Sequence, residues 1–210
     1  MNDMSNVIVP ARDSRPTSVC VYCGTGVGAT PEYMEAAREL GRRLAEGGVE
    51  VVYGGGSLGL MGAVAQSALE AGGRVVGIIP GFLEEREGKM PTLTETIVTD
   101  DMHERKRTMF ERADAFVALP GGIGTLEEVV EILTWGQLGQ HVKPVVLADI
   151  GGFWRPLVEL FSHMREEGFL RPGFEVDYCV ATTVDQILSA IEGACVDEAA
   201  RPGVADIDQL

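Results

Sequence analysis

Two periods of hydrophobic patterning alternate along this chain. Short apolar runs fall at 18–23 (SVCVYC), 49–53 (VEVVY), 74–79 (RVVGII), 96–99 (TIVT), 114–119 (DAFVAL), 144–148 (PVVLA) and 176–181 (VDYCVA). Between them lie longer amphipathic stretches at about 31–46, 60–71, 102–113, 125–138, 153–167 and 184–194. Brief runs rich in consecutive apolar residues read as strands buried on both faces, and strands alternating with helical stretches read as a parallel sheet. The pattern therefore predicts an α/β fold, Rossmann-like and doubly wound, with a mostly parallel sheet of about seven strands and helices on both faces. Residues 17–196 carry this pattern as a single domain; 1–16 and 197–210 lack apolar periodicity and read as flexible tails.

Composition narrows the function. At 210 residues and 45% hydrophobic, the chain suits one α/β domain with a sizeable core. Its net charge of −15 argues against nucleic acid and anionic membrane as partners, so any anionic ligand must be held by local cations or amides. The N-terminus lacks the basic and apolar regions of a signal peptide, and no apolar run approaches the ~18 residues of a membrane span, so a cytoplasmic location is expected. Cys20 and Cys23 match C-x-x-C, but on a strand positions i and i+3 point to opposite faces, which argues against a redox or zinc pair. His103, His141 and His163 group neither with cysteines nor with one another, so no metal is expected.

Ligands of open parallel sheets sit at the carboxyl ends of the strands. Here those ends read CGTG (23–26), GGGSLGLMG (54–62), PGFLEERE (80–87) and PGGIGT (120–125). In LPGGIGTLEE (119–128), glycines between a strand and a helix bring backbone close to a ligand, and the helix N-terminus supplies unpaired N–H groups. The combination is an anion cradle suited to phosphate, to which Thr125 adds a hydroxyl. The same letters also fit a capping box, with Thr125 as cap and Glu128 bonding back. On a helical wheel Leu126, Val129, Val130 and Leu133 form the expected buried stripe. Glu128 shares a second face with Ile132 and Trp135, which suggests that a partner subunit covers that face. In MHERKRTMFERA (102–113), Met102, Met109, Phe110 and Ala113 define a buried arc. Lys106 falls inside the arc and Arg105 beside it. Such cations either snorkel to solvent or meet a phosphate or carboxylate.

Three other motifs carry less. Gly54 to Gly59 fits G-x-G-x-x-G, but the next strand ends in GIIP (77–80), without the acid that a dinucleotide ribose needs. Gly55 to Gly59 also fits G-x-S-x-G around Ser57; Asp149 follows a strand acceptably, yet the later His163 lies mid-helix. A pyridoxal enzyme needs a Schiff-base lysine, and Lys89, Lys106 and Lys143 stand in no recognisable cofactor setting.

Taken together, VYCGTGVG, the glycine-rich 52–62, GIIP (77–80), MHERK (102–106), PGGIGTLEE (120–128) and LTWGQLG (133–139) resemble the LOG (Lonely Guy) family of cytokinin riboside 5′-monophosphate phosphoribohydrolases, often labelled lysine decarboxylase-like. The resemblance runs from about Val19 to beyond Asp149, and MHERK with PGGxGTxxE about fifteen residues later is its most specific part. Ile123 stands where the family commonly has an aromatic, and Gly81 and Phe82 replace more polar residues. The resemblance implies a hydrolase that cleaves the N-glycosidic bond of a purine nucleoside 5′-monophosphate, such as an N6-modified AMP, to free base and ribose 5-phosphate. It implies no cofactor, a Rossmann-like fold and a homodimer or higher homo-oligomer. It places Arg105 and Glu128 at the catalytic positions. Glu87, Lys106, Gly121, Gly122, Ile123, Gly124, Thr125, Leu126, Glu127 and Thr134 fall at substrate-binding positions. The alternative is a non-catalytic protein that holds a nucleotide or a molybdenum-cofactor-type ligand.

Overall fold

A computed structural model describes residues 15–83 and 92–193. The expected strands all form: β1 (Ser18–Tyr22), β2 (Glu50–Tyr53), β3 (Val75–Pro80), β4 (Glu95–Thr99), β5 (Ala115–Ala118), β6 (Val145–Ala148) and β7 (Cys179–Ala181). They make one sheet in the order β4-β3-β2-β1-β5-β6-β7, and every pairing is parallel. The last strand is shorter than the apolar run suggests; Val176 and Tyr178 are buried core residues outside the ladder.

The helices are α1 (Pro31–Glu46), α2 (Gly59–Glu70), α3 (Met102–Arg112), α4 (Ile123–Gln137), α5 (Arg155–Glu166) and α6 (Val184–Ile191), with a 3-10 turn at Ile150–Gly152. Strand residues of alternate parity feed two cores, one on each face of the sheet. Val19, Val21, Val51 and Val117 pack with residues of α1, α2 and α6. Cys20, Tyr22, Val52 and Phe116 pack with residues of α3, α4 and α5. Cys20 and Cys23 accordingly lie in opposite layers, each a free, buried thiol that burial pushes above its ordinary range. No helix among the described residues is long and apolar enough to cross a membrane.

The strand order reverses between β1 and β5, since β1 leads through α1 to β2 on one side while β5 lies on the other. A doubly wound sheet opens its crevice at that switch point. Two helix starts frame it differently. Asp101 caps α3 by accepting from the His103 and Glu104 amides at 2.8 Å each, and Glu104 accepts from the Asp100 amide at 2.7 Å. This cap, with Glu104 bonding back to the residue before Asp101, is close to the box that the sequence suggested for Thr125 and Glu128. There it does not form: α4 begins two residues earlier than expected, with Gly122 at the cap position and no side chain bonded to its first amides. Thr125 thus sits inside the first turn, and Glu128 is released for another partner.

The α1–α2 contact is close because Gly41 has no side chain. A Cβ there would collide with the Val64 carbonyl and the Ser67 hydroxyl. Overpacking of this kind costs about 1–3 kcal/mol, so Gly41→Ala should lower the urea midpoint by a matching amount. A midpoint equal to that of the wild type would show that the two helices separate freely.

Candidate active site

Loops from three strands meet at the switch point. The Gly24 amide donates to the Pro120 carbonyl at 3.0 Å, and a Cβ on Gly24 would lie 3.1 Å from Gly121 Cα, so β1 and β5 are joined backbone to backbone. The loop after β1 also closes over α2: the Leu60 and Met61 amides donate to the Gly26 and Gly24 carbonyls at 3.3 Å each. Those amides are therefore already bonded, and among the described residues no carboxylate stands at the buried end of β3. The glycine motif at 54–59 thus builds a joint between loops in place of a dinucleotide site. The first turn of α4 differs. Its leading amides have no intrahelical partner by construction, no side chain caps them, and the space beside Gly122 and Gly124 is open. Gly121 is tight on its other side, where a Cβ would collide with Thr125.

A cavity of about 340 Å³ opens beside this turn. The Gly122, Ile123, Gly124 and Thr125 segment forms one wall, and Arg105 and Glu128 another. The two charged groups are buried, at 6% exposure each. Arg105 Nη1 lies 3.0 Å from Glu128 Oε1, and Arg105 Nε donates to the Ile78 carbonyl at 3.1 Å. Glycine makes the room: a Cβ on Gly54 would collide with Arg105 Nη2 and lie 3.2 Å from the Met61 terminal methyl. Gly54, Met61 and Ile78 fall within motifs read from the sequence, but their role in housing the guanidinium does not follow from those motifs. The signal available was a buried arginine, which needs both a hole and an acceptor. Cys23 completes a wall as a protonated thiol, since burial and then the Glu128 charge raise its pKa.

Lys106 makes the second link between α3 and α4. Its Nζ lies 2.6 Å from Glu127 Oε1 and 3.0 Å from Glu131 Oε1. Burial alone would lower the lysine pKa, but the hydrogen bonds to Glu127 and Glu131 outweigh it, and the ammonium titrates above its ordinary range. Arg105 and Lys106 thus both meet carboxylates, one of the two alternatives open from sequence.

The helical-wheel expectation for α4 needs correction. Val130 is 41% exposed, whereas Glu128 and Ile132 are buried. The buried stripe runs through Thr125, Glu128, Val129, Ile132 and Leu133. The face shared by Glu128, Ile132 and Trp135 is covered by the chain's own α3, with Phe110 and Trp135 edge to face at 5.1 Å, so it needs no partner subunit. Of the residues expected to bind substrate, Gly122, Ile123, Gly124, Thr125 and Glu127 line the cavity. Gly121 lines an adjoining hollow with Tyr33 and Phe153. Lys106 reaches the rim only through Glu127, and Leu126 packs on the core. Thr134 lies away from the cavity, exposed, its hydroxyl donating to the Val130 carbonyl at 2.7 Å. Glu87 and Lys89 fall outside the described residues.

Serine-hydrolase geometry does not assemble either. Asp149 accepts the Trp154 and Arg155 amides at 2.6 and 3.1 Å. His141 contacts the Ile132 carbonyl and the Lys143 amide, and His163 is exposed on α5. Lys143 donates to the Phe110 carbonyl at 2.6 Å and lies 4.1 Å from that ring's centroid.

A family model described as "Possible lysine decarboxylase" matches residues 61–191. A probable cytokinin riboside 5′-monophosphate phosphoribohydrolase of Oryza sativa subsp. japonica is 44% identical over 179 residues, 85% of this chain and 73% of the relative. A cytokinin riboside 5′-monophosphate phosphoribohydrolase of Arabidopsis thaliana is 47% identical over 159 residues, 76% of this chain and 73% of the relative. Among solved structures, the molybdenum cofactor carrier protein of Chlamydomonas reinhardtii superposes with a TM-score of 0.62 at 25% identity, covering 86% of this chain and 98% of its own.

The buried pair sets a stability prediction. Removing one partner strands the other charge and costs about 3–5 kcal/mol, whereas replacing both with apolar groups is often neutral. Arg105→Met and Glu128→Leu should each destabilise strongly in urea unfolding, and the double variant should recover most of the loss. Additive losses would show that the two side chains do not share one energy.

Proposed function

Because the chain belongs to the possible lysine decarboxylase family, whose relatives above are cytokinin riboside 5′-monophosphate phosphoribohydrolases, we propose that it hydrolyses the N-glycosidic bond of an adenosine 5′-monophosphate, including N6-modified forms. The observation that carries this reading is the meeting, in one cavity, of an uncapped glycine-built helix start and a buried carboxylate held by arginine.

Cleavage breaks the bond between C1′ and the base nitrogen. The bonding electrons leave with the base, which takes up a proton; water supplies hydroxyl to C1′ and the proton, giving free base and ribose 5-phosphate. The transition state is oxocarbenium-like, and a carboxylate beside C1′ stabilises it. Glu128 takes that role, either by activating the water or by attacking C1′. Arg105 holds the Glu128 carboxylate in place and offsets negative charge that develops on the base or phosphate. The amides at 123–125, with the Thr125 hydroxyl, receive the 5′-phosphate, and binding at that remote end positions C1′. Glu127 and Lys106 edge the same cavity as one ion pair. Glu87 and Thr134 enter the proposal through the family pattern alone. We also propose a homodimer or larger assembly, for which the exposed Ile123, Val130 and Leu138 along the outside of α4 offer an apolar stripe, and a cytoplasmic location, where nucleotide monophosphates are available.

The second reading is a non-catalytic carrier, favoured by the fold shared with the molybdenum cofactor carrier protein. Incubation with AMP, with chromatography of the free base, separates the two. Hydrolysis predicts base release by the wild type and a fall of about 10²–10⁴-fold in Glu128→Gln. Loss of two charge-assisted hydrogen bonds, each ~1.5–3 kcal/mol, predicts that adenosine has a kcat/KM lower by at least ~100-fold. Tight AMP binding without release would favour the carrier, and unchanged activity in Glu128→Gln would remove that residue from the mechanism.

A further inference from the structure

We infer that Gly54 is a positioning residue for the hydrolysis proposed above, on which this inference rests: its missing side chain seats the Arg105 guanidinium and, through it, the Glu128 carboxylate. Gly54 opens the glycine run after β2 and is buried. The glycines around it serve different ends. Gly55 holds φ at 81°, a backbone conformation that favours glycine, whereas Gly54 holds no positive φ and its backbone would accept an alanine. Gly59 and Gly62 leave room for backbone, since a Cβ on either would collide with the Thr25 or the Ser57 carbonyl. At Gly54 the space is claimed by the charged end of a side chain, Arg105 Nη2.

The space cannot be widened from the strand side. Gly54 follows Tyr53, which pairs with Val21 of β1 and Gly77 of β3, so the backbone is held from both sides. The Met61 terminal methyl, 3.2 Å from an added Cβ, is the end of a flexible chain and can turn aside. The guanidinium cannot. It is buried, its Nε donates to the Ile78 carbonyl at 3.1 Å, and its Nη1 lies 3.0 Å from Glu128 Oε1. Two anchors on different edges fix the orientation of this planar group. A methyl at position 54 pushes Nη2 away and so breaks one anchor or both. Loss of the Ile78 bond lets the guanidinium tilt, and loss of the Glu128 bond frees the carboxylate. In either case the acid no longer stands where C1′ arrives, and misplacement of a reacting group by about 1 Å costs on the order of 10²-fold in rate. Gly54 is not among the described residues that line the cavity, so the methyl acts through Arg105 and leaves the nucleotide's own contacts in place.

Base release from AMP and urea unfolding, measured on the same variants, test the assignment. Gly54→Ala should lower kcat by about 10–100-fold while the KM for AMP changes less than about threefold. It should also lower the urea midpoint. The Arg105→Met side chain ends short of the position of Nη2, so Gly54→Ala added to Arg105→Met should lower the midpoint far less than Gly54→Ala does in the wild type. An unchanged kcat in Gly54→Ala, or a KM that rises as far as kcat falls, would overturn the proposal. So would midpoint losses that add across the two substitutions, because the methyl would then act on the loop and not on the guanidinium. Unfolding needs no turnover, so the two readings fail separately. A wild type that releases no base removes the hydrolysis and with it the kinetic consequence, while non-additive midpoints still assign to Gly54 the seating of Arg105.

Discussion

The buried ion pair between Arg105 and Glu128 is the constraint around which the rest of the site is arranged. A charged pair removed from water is costly unless its hydrogen-bonding capacity is met. The Ile78 carbonyl takes the guanidinium Nε, Gly54 leaves the space, and Met61 closes one side. A second link runs between the same two helices, from Lys106 next to Arg105 to Glu127 and Glu131 on either side of Glu128. The two sets of bridges fix the rotation of α3 against α4, and so aim the carboxylate at the cavity. The pair is better understood as a positioning device with a stability cost than as a stabilising contact.

The division of labour among the glycines follows from the same geometry. The helices α2 and α4 both start at the carboxyl edge after glycine-rich turns, yet their leading amides are used differently. The start of α2 is bonded by the Gly24 and Gly26 carbonyls, which braces the loop after β1. The start of α4 is left open by Gly122 and Gly124. An acidic chain with three lysines, one of them committed to two carboxylates, meets an anion more readily with backbone dipoles than with side-chain cations.

Much of this was legible in the sequence. Runs such as SVCVYC and DAFVAL are apolar on both faces, and the sheet buries both faces, so strand positions and parallel topology followed. The glycine-rich carboxyl ends pointed to the edge that carries the cavity. What failed was rotation and capping. Thr125-x-x-Glu128 has the letters of a capping box, but the turn begins at Gly122, and that shift of register moves Glu128 from a helix end to the buried face. Val130 is exposed and Ile132 buried, the reverse of the expected stripe. The missing information was tertiary: periodicity treats glutamate as polar and therefore outward, and cannot see the arginine on another helix that draws it in.

The most direct measurement is a crystal structure of the protein with a non-hydrolysable nucleoside 5′-monophosphate analogue. The account predicts the phosphate on the amides of 123–125 and C1′ facing the Glu128 carboxylate. A phosphate bound elsewhere, or a Glu128 side chain turned away from the sugar, would contradict it.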